Sequence, residues 1–237
     1  MTSVLEISDV SKDYRGLRPL RVAQLSVGVA EQVAIVGWDG PAAEVFVNLV
    51  TGTTLPDRGD VKIFGRSTAE IADSAQWLTV VDRFGIVSER AVLLDQLSVI
   101  QNLAVPFTLD IEPPPDDIRV RASALAREVR LPEAAWTRAV GDLDPAWRMR
   151  VRLGRALALD PAVVLLEHVT AGLTPGDVNT FGGELRAIAG SRGVAMVMLT
   201  ADEEFGRAAA TRVLTIDLAT GRLAERRRGW FRARFRT

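Results

Sequence analysis

Apolar positions along the chain switch between two periods. Val4-Leu5-Glu6-Ile7-Ser8-Asp9-Val10 alternates apolar and polar residues, the pattern of a half-buried strand. Val33-Ala34-Ile35-Val36 is a continuous apolar run that stops at Gly37. After Gly40, apolar positions such as Val45 and Leu49 recur at helical spacing over 42–50. Strand, glycine turn and helix are predicted there in succession. Segments 61–64 and 84–87 predict further strands, the first following the turn Pro56-Asp57-Arg58-Gly59.

Pro113-Pro114-Pro115 separates two helical stretches, and Asp116 and Asp117 then stand where carboxylates favour a helix start. Ile118, Ala122, Leu125 and Val129 follow on one helical face. Residues from about 90 to 150 are therefore expected to form a helical insertion. Beyond it the pattern alternates: helix 147–159, strand 163–166, helix 178–188, strand 194–199, helix 203–209 and strand 213–218. A turn at Thr220-Gly221 and an apolar Leu223 close the series. Such alternation predicts an α/β fold with a mostly parallel sheet covered by helices. No internal repeat is present.

Composition narrows the chemistry. At 237 residues the chain suits one globular domain, and a net charge of −1 argues against a general nucleic-acid binder. With no cysteine, disulfides, thiolate metal sites and cysteine nucleophiles are excluded, and the single histidine, His168, excludes multi-histidine metal sites. Among 29 basic residues only Lys12 and Lys62 are lysine, so few ammonium groups are available to hold a phosphate. No run of eighteen apolar residues and no signal-peptide pattern occur, which places the expectation on the cytosolic side.

Gly37-Trp38-Asp39-Gly40-Pro41-Ala42-Ala43-Glu44 sits between a predicted strand and helix, the context of a phosphate-binding loop. Further along come Leu97-Ser98-Val99-Ile100-Gln101-Asn102-Leu103, then Arg155-Ala156-Leu157-Ala158-Leu159-Asp160-Pro161 running into Val163-Val164-Leu165-Leu166, then Thr170-Ala171-Gly172-Leu173. Their shared order resembles the ATP-binding cassette ATPase domain of membrane transporters, over about residues 4–223. The resemblance implies a P-loop NTPase-like cassette with a mostly parallel core sheet, an antiparallel β subdomain and an inserted helical subdomain. It divides the chain into a cassette domain, 1–223, and a tail, 224–237.

By the same resemblance Tyr14 corresponds to the aromatic residue that stacks on adenine. Gly37 and Gly40 keep two loop glycines, but Ala42 replaces a third, Ala43 the phosphate-holding lysine and Glu44 the magnesium-binding hydroxyl. Glu89 matches the expected glutamine. Leu143, Asp144, Pro145, Ala146 and Trp147 stand for the signature Leu-Ser-Gly-Gly-Gln, and Glu167-His168 for the Walker B Asp-Glu pair. Thr174 replaces the D-loop aspartate and Ala201 the switch histidine. ATP and magnesium are thus implied by the family, with binding weakened or lost by these substitutions. Glu167 keeps a carboxylate, which the resemblance makes a candidate contact to magnesium. Losing one electrostatic or acid-base group commonly lowers a rate by ~10²–10³. Here at least five such positions have changed, so no intact catalytic set is expected.

Plainer readings stand beside these. Tyr14 fits a surface aromatic, and His168 fits a satisfied structural histidine as well as a general base. Glu44, Glu89 and Glu167 converge under the family geometry as a cation site, against the commoner outcome of solvated or arginine-paired acids. Arg148, Arg150, Arg152 and Arg155 share one helix and read as solvent-facing or ion-paired. The segment from Arg226 to Arg236 carries six arginines and three aromatics. It suits an anionic membrane surface, or equally a solvated terminus.

Three functions follow. The first is a non-hydrolysing scaffold or regulatory subunit, peripheral on the cytoplasmic side, partnered by a permease and paired with itself or another cassette ATPase chain. The second is an unorthodox ATPase using Tyr14, Gly37, Gly40, Glu167 and His168. The third is a soluble interaction module tethered by its basic tail.

Overall fold

The computed structural model describes residues 2–225 of the chain. The arginine-aromatic tail from Arg226 onward lies outside the described residues. The strands form two sheets. β1 (Ser3–Lys12), β2 (Leu20–Gly28), β4 (Arg58–Ile63) and β5 (Arg66–Ser67) make an antiparallel sheet in the order β2-β1-β4-β5. β3 (Gln32–Val36), β6 (Phe84–Ser88), β7 (Val163–Glu167), β8 (Ala195–Thr200), β9 (Arg212–Asp217) and β10 (Arg222–Glu225) make the second, in the order β10-β9-β3-β8-β7-β6. All its pairings are parallel except that of β10 with β9. The helices are α1 (Gly40–Val50), α2 (Ser74–Val81), α3 (Val99–Ala104), α4 (Asp116–Glu128), α5 (Pro145–Leu157), α6 (Pro175–Arg192) and α7 (Glu203–Ala209). Among the described residues no helix is long and apolar enough to cross a membrane.

The larger sheet is buried on both faces, and the two-residue period of a strand sorts its side chains between two cores. Val33, Ile35, Val163, Leu165, Val197 and Leu199 face the antiparallel sheet and α1, where Phe46 is fully buried. Ala34, Val164, Leu166, Met196 and Met198 face the other way, among residues of α3 to α7. Each buried Val, Leu, Ile or Met side chain among them contributes roughly 1.5–3 kcal/mol. The unbroken apolar runs of the sequence are therefore central strands, not hidden helices.

Ion pairs tie the helical layer together. Arg192, at the end of α6, donates from Nε and Nη2 to the two oxygens of Glu128 in α4, at 2.5 and 2.6 Å. Its Nη1 reaches Asp160 at 2.9 Å and the Leu157 carbonyl at 2.8 Å. Glu128 holds the Arg192 guanidinium above its ordinary pKa. Arg150 of α5 pairs with Glu184 of α6. Helix α5 runs from Pro145 to Leu157, overlapping the helix expected over 147–159.

Candidate functional site

Register brings the C-terminal ends of four parallel strands to one level: Val36 lies opposite Thr200, Leu199 opposite Glu167, and Glu167 opposite Ser88. The segments leaving this edge carry Gly37, Glu89, His168 and Ala201. Ligands of open α/β sheets bind at such an edge.

At the first of these exits Gly37 has φ 106°, a conformation that L side chains rarely adopt, and a Cβ there would lie 3.3 Å from the Ile216 carbonyl oxygen. Trp38 turns inward, 3% exposed, with its ring centroid 5.2 Å from that of Phe46. Asp39 then caps α1: its Oδ1 accepts from the Ala42 amide at 2.8 Å and its carbonyl from the Ala43 amide at 3.0 Å. Pro41 has no N–H to offer. A helix N-terminus attracts anions through unpaired amides and its dipole. Here the chain's own carboxylate takes that place, and Ala43, at the position matched to the family's phosphate-holding lysine, is fully buried.

The signature-equivalent segment repeats the device. Asp144 caps α5, its Oδ1 accepting from the Trp147 amide at 2.8 Å, with Pro145 at the first helical position. Leu143 is buried, Ala146 is half-buried, and Arg138 lies over the Trp147 ring. Thr174 caps α6, its Oγ1 accepting from the Asp177 amide at 3.3 Å and donating to the Asp177 carboxylate at 2.6 Å.

Between these helix starts the structure joins Glu44 and Glu167 through a third residue. Arg90 Nη1 contacts Glu44 Oε1, and Nη2 contacts Glu167 Oε2, each at 2.5 Å. Glu167 is a buried charge, its side chain 8% exposed, whereas the Glu44 side chain is 46% exposed. Glu89 does not join them. Among the described residues no three carboxylate or imidazole groups assemble as a metal set; Glu44 and Glu167 form an arginine-bridged pair, the plainer of the two alternatives for these acids. Lys12 is engaged elsewhere, 2.8 Å from Asp57, and Lys62 lies 4.0 Å from Asp60.

His168 follows Glu167 in a left-handed conformation, φ 46°, held by its amide hydrogen bond to the Leu199 carbonyl at 2.9 Å. Its Nε2 is buried without a hydrogen-bond partner, so the expectation of a satisfied histidine is not met at that atom. Ala201 is exposed just beyond β8. The Tyr14 ring is half-buried and folds over Gly16, where a Cβ would approach it to 2.6 Å. Burial, and after it the Asp39 charge, raises the Tyr14 hydroxyl pKa.

The four arginines of α5 turn toward their own chain. Arg148 pairs with Asp95 at 2.8 Å. Arg152 donates to the Ala91 and Glu89 carbonyls at 3.1 and 3.3 Å, and Arg155 to the Val92 carbonyl at 2.7 Å. Burial lowers the pKa of both Arg152 and Arg155. Beside this pinned segment lies a cleft of about 550 Å³ lined by Ile86, Val92, Leu93, Arg155 and Leu159 among others. Ile86, Val92 and Leu159 are exposed.

Asp39 and Arg90 carry much of this geometry, and neither was singled out from the motifs. Asp39 had a readable signal: an N-cap residue two positions before a proline and ahead of a helical apolar pattern. Arg90 had none, since its partners lie 46 and 77 positions away.

Comparison with known proteins agrees with this architecture. The ABC transporter family profile matches residues 20–171. The chain is 30% identical over 209 residues to the lipoprotein-releasing system ATP-binding protein LolD of Chromohalobacter salexigens, covering 87% of this chain and 85% of that one. It is 28% identical over 214 residues to the methionine import ATP-binding protein MetN of Brucella abortus, covering 90% of this chain and 57% of the relative, so it spans little more than half of that protein. The solved structure of cbiO1 from Clostridium perfringens, part of the ABC transporter complex cbiONQ, superposes with a TM-score of 0.80 at 20% identity, covering 94% of this chain and 88% of that one. On fold, strand order and sequence together, the chain belongs to the ATP-binding cassette family of ABC transporter proteins.

Proposed function

We propose that this chain is a non-hydrolysing cassette subunit of a membrane transport complex, a structural or regulatory partner and not its motor. The observation that carries the reading is the pair of self-capped helices. At both helix starts matched to nucleotide-contacting motifs, an aspartate three residues upstream takes the amide, 2.8 Å from Ala42 in one and 2.8 Å from Trp147 in the other. An incoming phosphate would meet a carboxylate where it needs free N–H groups. The residues present therefore do not fit a magnesium-triphosphate. Pro41 lacks a donor, Ala43 brings no ammonium, and neither lysine is within the loop. Among the described residues His168 Nε2 has no hydrogen-bond partner, so no carboxylate orients the ring as a general base would need.

The packed scaffold supports retention of the family's partners. The exposed apolar side chains around the 550 Å³ cleft suit a permease segment docking from the membrane side. On this reading the chain is a peripheral subunit on the cytoplasmic face, paired with itself or with a competent cassette ATPase. The relatives' names speak of methionine import and of lipoprotein release, and this chain's cargo is not carried over from either. Phosphate release by the purified chain, alone and with its permease, tests the proposal. No release above the buffer rate is expected; steady release that is lost in H168A would defeat it.

A further inference from the structure

Two carboxylates from distant elements meet at one guanidinium. Glu44 comes from the first turns of α1, Glu167 from the last residue of β7, and Arg90 from the segment after β6. We propose that Arg90 is the resident cation of this carboxylate pair and keeps divalent metal out of it, so that the cation position is filled from within the chain. The inference rests on the reading of a pocket that does not take magnesium-nucleotide.

Four observations support it. The guanidinium serves both acids at once, with Nη1 and Nη2 each 2.5 Å from a different carboxylate, a division of labour that a planar fork allows and a lysine ammonium does not match. Glu167 is buried, its side chain 8% exposed, and a buried carboxylate without a counter-charge is strongly disfavoured. The segment that presents Arg90 is pinned by hydrogen bonds within its own chain. The Arg90 amide donates to Ser88 Oγ at 3.2 Å and the Ala91 amide to the Ser88 carbonyl at 3.1 Å, while Arg152 and Arg155 hold the carbonyls of Glu89, Ala91 and Val92. A charge tethered in this way competes as a high local concentration. Lastly, the site offers a metal little in return. Magnesium and its relatives take about six oxygen ligands, and no third carboxylate or imidazole joins the two here among the described residues. An arginine also keeps its charge at every working pH, so the filling does not titrate away.

Manganese(II) titration followed by electron paramagnetic resonance, without nucleotide, tests the assignment. The wild-type chain is expected to show no Mn²⁺ site that depends on Glu167. In R90A a single site should appear that binds at least ten times more tightly than any in the wild type, and it should vanish in R90A/E167Q. A wild-type site lost in E167Q would overturn the proposal, as would a folded R90A that gains none. Should R90A not fold, the wild type and E167Q decide between them: equal Mn²⁺ counts support a resident arginine, and one fewer in E167Q refutes it. Because no nucleotide is present, phosphate release by the chain would defeat the proposed function while leaving this count to judge Arg90 separately.

Discussion

The amide of Ala43 is bound to the carbonyl of Asp39 at 3.0 Å, as a regular helical hydrogen bond, and the Ala43 methyl is fully buried. The position matched to the family's phosphate-holding lysine is thus an interior helix position. Returning the lysine in A43K would push a long charged side chain into packed core, which typically lowers stability by about 1–3 kcal/mol for the added volume alone. A43K is expected to unfold at lower urea and to gain no ATP affinity. Denaturant midpoints and a nucleotide titration check both parts.

The two aspartate caps should act as ordinary helix caps. D39A and D144A each remove one carboxylate from a helix start, so each is expected to destabilise the chain by about 1 kcal/mol, while D39S and D144S recover most of it. Urea midpoints at unchanged slope are the measurement. A slope change would mean instead that the variant had altered the compactness of the native or unfolded chain.

Arg192 should be the strongest single tie in the helical layer. Its paired hydrogen bonds to Glu128, at 2.5 and 2.6 Å, join α6 to α4 with both partners mostly shielded from solvent. Charge-assisted hydrogen bonds contribute about 1.5–3 kcal/mol. R192A and E128Q are each expected to lose an amount of that order, and the double variant much less than their sum. A purely additive double variant would deny the coupling.

Legibility differed between elements for physical reasons. β3, β7 and β8 were readable because strands buried on both faces leave continuous apolar runs such as Val33-Ala34-Ile35-Val36. β2 was not read: its buried positions Leu20, Val22, Leu25 and Val27 break step between Val22 and Leu25, which obscures the alternation. α2 was not legible because it is only eight residues long and buries none of them, so its apolar positions Trp77, Leu78, Val80 and Val81 read as a short apolar cluster. In the site, each substituted motif position could be named from its neighbours in sequence. What took their place could not, because the Arg90 bridge depends on register between β6 and β7 and on the packing of α1.

Acid should act through Asp57. The Lys12 ammonium, and then the Asp13 amide, hold its carboxyl below the ordinary aspartate value of 3.8. A folded-state pKa below the unfolded one gives stability that is fully present above the unfolded value and is lost as pH falls through the folded value. Wild type is therefore expected to exceed D57N in stability at pH 7, with the gap closing below about pH 4. Unfolding curves of the two proteins across pH 2–7 measure it; a gap that widens in acid would reverse the assignment.

Isothermal titration of the purified chain with magnesium-ATP tests the central claim most directly. With both helix starts capped by aspartate and no lysine in the loop, no saturable heat is expected up to millimolar nucleotide. Micromolar binding at one site per chain, dependent on magnesium and abolished in E167A, would contradict the account.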